Sequence, residues 1–384
     1  MKVAWIITGF AKDETDYNGA PSIHKTAELL SFKKNIELDI YTLYYPFYKS
    51  EYNYFNAKVY SFAKKENISR ADKYIIWKNA EKKFSEENRI NRYDIIHSIW
   101  SGESGNLGAK LCEKNNIPFI TSVCGGELAE ISEIKYGNRL KYWQKKFVNT
   151  SFKKADKIII GSDYIYDKIK KYYNDNILQK TIKIPFGVDD KLFYPFESST
   201  KYKNRFPILL NIASAVPVKN HIMLMNAFSK VKQRFPNALL IICGYDKNNI
   251  LPNLIQQFNL EDSVKLKGFI PYEDIPDIIN SADIFVLSSF YESQNLSILE
   301  SAFCGIPSAS TRVGIAEEIT EYISEINNLK EFTNKIISLT ENIETTKKKL
   351  KEKLNKLREA YSIKSTSEII YNLYKMISAL NDKH

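Results

Sequence analysis

Two glutamates follow a stretch that predicts a buried β-strand. The run Ile284–Leu287 is apolar, and Glu292 follows it in a predicted loop. Glu300 lies further on, within a helix predicted over Leu296–Phe303. A loop that leads into a helix N-terminus presents unpaired backbone N–H groups and the positive end of a dipole, which together bind phosphate. Glu292 at the loop and Glu300 on the inward face of the helix can hold hydroxyl groups of a molecule attached to that phosphate. The arrangement predicts a sugar-nucleotide site.

The elements that must position these glutamates alternate along the chain. Short apolar stretches typical of strands are separated by longer amphipathic stretches typical of helices, in both halves of the sequence. This alternation predicts doubly wound parallel α/β sheets, which bind ligands at the carboxyl ends of their strands. Because the series occurs twice, we expect two Rossmann-like domains facing each other across a cleft. In the second half the predicted strands are Ile208–Ile212, Ala238–Cys243, Val264–Lys267, Ile284–Leu287 and Pro307–Ser310.

A polar segment without periodic apolar residues separates the two series. Pro185, Gly187 and Pro195 interrupt regular structure there. At 384 residues the chain also exceeds the usual length of a single-core domain. We therefore predict an N-terminal domain over residues 1–185, a second domain over residues 186–361, and a C-terminal helix over residues 362–384 that packs back on the first domain.

The charge is unevenly distributed along the chain. The formal net charge is +10, and residues 1–185 carry 31 Lys and Arg against 22 Asp and Glu. A basic first domain suits an anionic partner, such as a phospholipid membrane surface or a lipid-linked phosphate. A solvated basic face, produced by a composition rich in Lys and Asn, is an equally weighted alternative. No nucleic-acid-binding module is recognisable, so nucleic acid is not an expected partner.

Cysteine usage and hydropathy indicate a reducing, aqueous compartment. The four cysteines are scattered without a C-x-x-C pair, so neither a disulfide scaffold nor a structural zinc site is predicted. The apolar residues after Met1 are soon followed by charged ones and predict a first strand rather than a signal peptide. No apolar run reaches the ~18 residues of a membrane span. We expect a cytoplasmic protein, with the inner face of the cell membrane as an open alternative for its location.

Four segments of the second half occur in the order found in one enzyme family. They are the linker Pro185–Pro195, the segment Ile212–His221, the run from Ser281 to Pro307 with its E-x7-E pattern, and Val313–Glu318. Together they resemble the motifs of the family 4 retaining glycosyltransferases of the GT-B fold, also described as glycosyl transferases group 1. The resemblance covers residues 181–319 well. It implies a nucleotide-diphospho-sugar donor and no essential metal, and no Asp-x-Asp stands at a predicted strand end.

The resemblance implies a role for each residue of the donor site. Lys219 matches the basic residue that binds the diphosphate, Glu292 the glutamate near the reacting sugar carbon, and Glu300 the glutamate that holds the ribose. Lys219 and Glu292 are the expected catalytic groups. Ser214 stands where the family usually has an arginine; a serine donates a hydrogen bond but does not neutralise charge, so Arg312 is a candidate substitute. The backbone N–H groups over the phosphates would come from Ser293, Gln294, Asn295 and Leu296.

The first half resembles the family's acceptor domain more faintly. Gly19, between the first strand and a helix, resembles a glycine-rich loop near the donor phosphates, although Ala20 replaces its second glycine. For His97, which resembles a strand histidine of the family, a structural role is preferred. The run Val123-Cys-Gly-Gly-Glu127 stands where the family often has a histidine, and the cysteine at that position argues against a catalytic histidine. The residues expected near the sugar or the acceptor are Cys124, Gly125, Gly126 and Glu127.

Two further features each allow two interpretations. Tyr245, Asp246 and Phe269 follow predicted strands where the family holds the nucleotide base, but ordinary loop residues would give the same pattern. Residues 135–154 interleave basic and aromatic side chains, as at a membrane interface or a lipid-pyrophosphate site. For that segment the preferred interpretation is a helix that buries its aromatic side chains in the core and exposes its lysines.

These residues, with the resemblance, predict a metal-independent glycosyltransferase that needs no cofactor. We expect it to move a hexosyl unit from a nucleotide-diphospho-sugar, with a UDP-sugar as the first choice, to a hydroxyl of a glycan or lipid-linked acceptor in bacterial surface polysaccharide synthesis. An alternative from a different class is a non-catalytic GT-B subunit that stabilises a partner transferase, because Ser214, Ala20 and Cys124 depart from the family pattern. A sugar-nucleotide epimerase of the same fold is a further alternative.

Overall fold

The computed structural model describes residues 1–17, 19–48, 50–200 and 202–381. Parts of three predicted features lie outside the described residues. They are Asn18 of the glycine-rich loop, Lys201 of the linker, and residues 382–384 at the end of the C-terminal helix. The chain divides into two compact units. The first contains Met1–Gly187 and the segment from Ile363 onward, and the second contains Val188–Ser362.

The first unit is built from strands and helices in alternation. Its strands are β1 (Lys2–Ile7), β2 (Glu37–Thr42), β3 (Ser50–Tyr54), β4 (Ala57–Ser61), β5 (Ile95–Ile99), β6 (Phe119–Ser122), β7 (Lys157–Ile160) and β8 (Thr181–Lys183). Its helices before the second unit are α1 (Pro21–Ser31), α2 (Arg70–Ile90), α3 (Glu103–Asn115), α4 (Tyr142–Lys154), α5 (Asp163–Tyr172) and α6 (Asp175–Leu178).

The strands of the first unit form one sheet in the order β3-β4-β2-β1-β5-β6-β7-β8. The neighbours pair in parallel, apart from β3, which runs antiparallel to β4 at the edge. Residues of β1 and β5 are buried along their whole length, as expected where helices cover both faces of a parallel sheet. The strand order reverses between β1 and β5, so the loops that follow these two strands diverge at the carboxyl edge.

The second unit repeats the alternation. Its strands are β9 (Ile208–Ile212), β10 (Leu239–Cys243), β11 (Val264–Gly268), β12 (Ile284–Leu287), β13 (Ser308–Thr311) and β14 (Ile323–Ser324). Its helices are α7 (His221–Arg234), α8 (Ile250–Gln257), α9 (Ile275–Asn280), α10 (Leu296–Phe303), α11 (Ala316–Ile319), α12 (Leu329–Glu341) and α13 (Ile343–Tyr361); α14 (Ile363–Asn381) then belongs to the first unit. Within the described residues, no helix combines the length and the apolar character that a membrane span requires.

The sheet of the second unit is parallel throughout its described strands, in the order β11-β10-β9-β12-β13-β14. The order reverses between β9 and β12, and at such a point the loops that follow the two strands part and leave a crevice at the carboxyl edge. The prediction of two parallel α/β sheets is confirmed. The loops after β9 and β12 carry Ser214, Lys219 and Glu292, which the sequence selected for the donor site.

The last helix is held in the first unit by a buried polar chain centred on Tyr374. The indole N–H of Trp5 donates to the Tyr374 hydroxyl oxygen at 2.8 Å. That hydroxyl lies 2.6 Å from His97 Nδ1, and His97 Nε2 lies 2.7 Å from Ser122 Oγ. Burial lowers the pKa of His97 to about 3, so the ring is neutral at physiological pH. His97 thus joins α14 to β6, which is the structural role preferred for it.

Replacing Tyr374 with phenylalanine tests this chain. Tyr374→Phe leaves the Trp5 N–H and His97 Nδ1 without their buried partner, so we expect the free energy of unfolding to fall by about 2–4 kcal/mol. Urea denaturation with tryptophan fluorescence measures the change. Tyr371→Phe, on the same helix and without a hydroxyl hydrogen bond among the described residues, should change stability by less than about 0.5 kcal/mol; equal effects of the two variants would contradict this description.

Candidate active site

Lys219 and Glu292 lie on the two loops that diverge at the switch point of the second sheet. A short 3₁₀ turn, Pro217–Lys219, follows β9, and Glu292 lies between β12 and α10. The Lys219 Nζ atom is 2.6 Å from Glu292 Oε1, and Ser289 Oγ donates to the same oxygen at 2.7 Å. The two charged side chains are 23% and 11% exposed. The pair is therefore shielded from bulk water but still open to a ligand at the carboxyl edge.

Buried hydroxyl groups tie together the loops that carry this pair. Ser288 Oγ donates to the carbonyl oxygen of Lys219 at 2.9 Å. From the next strand, Thr311 Oγ1 donates to the carbonyl oxygen of Ser289 at 2.7 Å. Ser288, Ser289 and Thr311 are all buried, so water does not compete for these bonds. The backbone at Lys219 and at Glu292 is therefore fixed before any ligand arrives.

Two helices begin at this edge of the sheet. Asn220 precedes α7 and Asn295 precedes α10, with φ angles of 52° and 70°, a left-handed backbone that asparagine tolerates better than most residues. Each asparagine caps its helix, because its Oδ1 accepts from the N–H of Met223 at 3.3 Å or of Ile298 at 3.0 Å. The positive ends of the two helix dipoles thus lie at the edge that carries Lys219. This edge is electrostatically suited to an anionic group.

The loop after β13 packs directly on the Glu292 loop through Gly314. Gly314 has a φ of +55°, and a Cβ atom there would lie 2.3 Å from the carbonyl oxygen of Gln294 and 3.0 Å from Glu292 Cβ. The N–H of Ile315 donates to the same Gln294 carbonyl at 2.8 Å. Only glycine permits both this backbone conformation and this approach. The contact fixes the loop between β12 and α10 from its outer side.

Glu300 is buried on α10, with 6% of the residue exposed. Burial raises the pKa of its carboxyl group to about 7, although hydrogen bonds from Tyr272 and Ser297 oppose the shift. The carboxyl group therefore already accepts hydrogen bonds from two hydroxyl groups of the protein. With this pKa it gains or loses its proton near neutral pH. A carboxylate in such a setting can accept hydrogen bonds from the hydroxyl groups of a ligand.

Ser214 and Arg312 occupy different surroundings. Ser214 lies half-buried in the loop after β9, and a Cβ atom on Gly244 would come within 2.8 Å of its backbone nitrogen. Arg312 is 44% exposed, and its guanidinium is bound by Glu317 and, at 2.7 Å, by Glu325. These contacts engage Arg312 with two carboxylates, so they give no support to Arg312 as the replacement for the family's arginine.

Comparison with known proteins identifies the second unit. Residues 196–360 match the family described as Glycosyl transferases group 1, and this span contains Lys219, Glu292 and Glu300. Over this span the chain is similar to the group 1 glycosyltransferases. The family resemblance of the sequence is thereby confirmed.

Relatives and solved structures extend this result. The mannosylfructose-phosphate synthase of Agrobacterium fabrum is 26% identical over 265 residues, which are 61% of this chain and 57% of that protein. The UDP-Gal:alpha-D-GlcNAc-diphosphoundecaprenol alpha-1,3-galactosyltransferase of Escherichia coli is 24% identical over 266 residues, 65% of this chain and 67% of that protein. The structure of sucrose-phosphate synthase from Thermosynechococcus elongatus superposes with a TM-score of 0.81 at 17% identity and covers 99% of each chain. This likeness confirms the predicted GT-B fold.

In the first unit, Glu127 organises the loop after β6. Its carboxylate is buried and accepts from the backbone N–H groups of Ser101 at 3.2 Å, Cys124 at 3.1 Å and Gly125 at 2.6 Å. Burial raises the pKa of Glu127 and that of the Cys124 thiol, so the thiol is a poor nucleophile. The contacts give Glu127 a structural role, and acceptor binding by residues 124–127 stays a prediction.

Two aromatic rings stand at the carboxyl edge of the second sheet. Tyr245 follows β10 and Phe269 follows β11; their rings stack with centroids 4.8 Å apart and planes inclined by 18°. The two residues are 59% and 49% exposed, which leaves the stack accessible to a flat ligand. The sequence offered both residues as base-contacting candidates but did not predict that they touch.

The remaining predicted residues have these positions in the structure. Gly19 is exposed in the loop after β1, with a φ of +87° and open space around it. Gln294 is buried, and Ser293 and Leu296 are half-buried. Among the described residues, no group of three or more His, Cys, Asp and Glu side chains is placed to share a metal ion. Sequence reasoning missed Ser289. The only signal for this residue was the group of small polar residues at the end of β12.

The raised pKa of Glu300 predicts a specific dependence of stability on pH. The folded state favours the protonated carboxyl group, so this stabilisation is complete below the ordinary pKa of 4.5 and is lost as the pH rises through about 7. In the wild type the loss in the free energy of unfolding amounts to roughly 3 kcal/mol between about pH 5 and about pH 8. In Glu300→Gln this loss should be absent. Urea unfolding at both pH values measures it. Glu261→Gln, at an exposed position, should keep the wild-type slope; an unchanged slope in Glu300→Gln would contradict the assignment.

Proposed function

We propose that the protein transfers a hexosyl unit from a nucleotide-diphospho-sugar to a hydroxyl of a glycan or lipid-linked acceptor, with retention of anomeric configuration. The observation that carries this proposal is the Lys219–Glu292 pair, 2.6 Å apart, on the two loops that diverge at the switch point of the second sheet. A cation and a carboxylate held side by side suit a substrate that joins a diphosphate to a sugar.

The second unit is the proposed donor-binding unit. Lys219 would neutralise the diphosphate as a point charge, and the backbone N–H groups of Ser293, Gln294, Asn295 and Leu296 would add donors at the α10 N-terminus. Ser214 would contribute a further hydrogen bond without a charge. Glu300 would accept from the ribose hydroxyl groups. The Tyr245–Phe269 stack offers a flat surface for the base.

The proposed reaction needs no group beyond the two substrates and these residues. The bond between the anomeric carbon and the diphosphate oxygen breaks, and the acceptor hydroxyl bonds to that carbon on the face from which the diphosphate leaves. A phosphate oxygen takes the hydroxyl proton. Lys219 and the helix dipoles would stabilise the negative charge that develops on the diphosphate. This electrostatic stabilisation is stronger in a shielded site than in water. Glu292, released from Lys219, would hold the sugar.

The first unit is the proposed acceptor-binding unit. Residues 124–127 lie in the loop that follows β6 at the carboxyl edge of its sheet, and the first half of the chain carries most of the net positive charge. The name of the Escherichia coli relative includes a UDP-sugar donor and a diphosphoundecaprenol acceptor. These observations support a UDP-sugar donor, an anionic lipid-linked acceptor and work at the inner face of a bacterial cell membrane, in surface polysaccharide synthesis.

A non-catalytic subunit is the second candidate function. It is favoured by Ser214, which stands in place of a charged residue, and by Arg312, which is already engaged by Glu317 and Glu325. Such a protein would bind a donor or a partner transferase without turning the donor over.

Donor binding and turnover separate these possibilities. We expect one of the UDP-, GDP- or dTDP-sugars to raise the melting temperature and to be hydrolysed or transferred. Lys219→Met should weaken binding of the nucleoside diphosphate at least about tenfold, or about 1.4 kcal/mol, because the diphosphate loses its cation. Isothermal titration measures the change.

The matched control is Lys230→Met, an exposed lysine on α7, which should bind like the wild type. Binding without turnover of any donor would support the subunit, and failure of every nucleotide sugar to bind would exclude the transferase.

A further inference from the structure

An exposed ridge of large apolar side chains lies on the first turns of α2 and α4 in the first unit. Tyr142 and Trp143 at the start of α4 are 72% and 62% exposed, and Tyr74 and Ile75 on α2 are 65% and 52% exposed. With Leu140, which precedes α4, these residues form what we call the α2–α4 ridge. The structure thus differs from the preferred interpretation of residues 135–154, because that helix does not bury all its aromatic side chains.

The two helices of the ridge are joined to each other. The rings of Trp77 on α2 and Phe147 on α4 meet edge to face, 5.6 Å apart. One turn nearer the N-termini, Glu103 Oε1 accepts from Lys73 at 2.8 Å and from Gln144 at 3.1 Å. Lys73 and Gln144 are the neighbours in sequence of the exposed residues. The exposed side chains of α2 and α4 therefore lie on two helices that are joined to each other.

The ridge lies at the functional edge of its sheet. The helices α2, α3 and α4 follow the parallel strands β4, β5 and β6, so their N-termini lie at the carboxyl ends of those strands. The loop that contains residues 124–127 runs from β6 towards α4. An acceptor bound at that loop would thus lie beside the ridge.

The charge around the ridge is positive and uncompensated. Lys141, Lys145 and Lys146 are exposed, and no carboxylate in the described part of the chain forms an ion pair with them. The Lys146 Nζ atom lies over the Trp143 ring at 5.2 Å. Lysines in the first turns of a helix oppose its dipole, and α4 has no acidic residue in its first turn. A negatively charged surface would offset this unfavourable arrangement.

We propose that the α2–α4 ridge docks the protein on the interface of an anionic phospholipid bilayer. Tyr and Trp side chains prefer the headgroup level, where an apolar ring and a polar group are both satisfied. Ile75 and Leu140 would enter the acyl boundary, and the three lysines would meet lipid phosphates. Near an anionic surface each lysine strengthens binding about fivefold. The inference rests on the proposed function in one respect: a lipid-linked acceptor presents its diphosphate at this same interface.

Vesicle co-sedimentation of the full chain tests the proposal. Wild-type protein should sediment with phosphatidylcholine vesicles that contain phosphatidylglycerol, far less with pure phosphatidylcholine, and less as salt increases. The triple variant Trp143→Ala, Lys145→Gln and Lys146→Gln should lose at least about tenfold in vesicle affinity. A matched triple variant, Tyr166→Ala, Lys170→Gln and Lys171→Gln, changes one exposed aromatic residue and two exposed lysines at α5 and should bind like the wild type.

The same variants keep this inference separate from the proposed function. All substituted residues are exposed, so melting temperature and nucleotide binding by the second unit should be unchanged in both triple variants. Equal vesicle binding by the two variants, or none by the wild type, would overturn the ridge proposal even if a donor is turned over. A ridge variant that instead converts a dimer to a monomer without vesicles would assign the ridge to a second copy and also overturn it. Vesicle binding without any donor binding would overturn only the proposed function.

Discussion

The ion pair between Lys219 and Glu292 determines how the site of the second unit is built. A lysine and a carboxylate largely removed from water require each other, since either one alone would leave an uncompensated charge. The pair joins the loops after β9 and β12, the strands between which the sheet order reverses. Ser288 and Ser289 fix the two sides of it. In the proposed reaction a diphosphate competes for Lys219 and thereby releases Glu292 for the sugar.

The central strands were the predictable part of the fold, for a physical reason. Strands covered on both faces read as continuous apolar runs, and Ile208–Ile212 and Ile284–Leu287 have the bounds that the sequence predicted. The edge hairpin of β3 and β4 was not predicted, because β3 is a polar edge strand that is defined by its pairing. The chain through Tyr374 was equally hidden, since it joins side chains that are hundreds of residues apart in sequence.

The residues of the site could be selected from the sequence, but their contacts could not. The E-x7-E spacing pointed to Glu292 and Glu300 because chain-local spacing sets which residues share a loop or a helix face. The bond from Ser289, the approach of Gly314 and the backbone bonds of Glu127 depend on tertiary packing. Exposure of Trp143 is likewise a property of the packed helices, so an alternation of basic and aromatic residues fitted both interpretations.

Comparing UDP with a UDP-sugar on Glu292→Gln tests the central claim most directly. If Glu292 restrains Lys219 in the free protein and holds the sugar in the complex, the substitution should leave UDP affinity equal or raise it, because Lys219 is released. The same substitution should weaken the binding of the UDP-sugar that serves as donor at least about tenfold. Titration calorimetry of both ligands on one variant measures the two effects. A parallel loss of affinity for UDP and UDP-sugar would contradict the account, because Glu292 would then serve only to position Lys219.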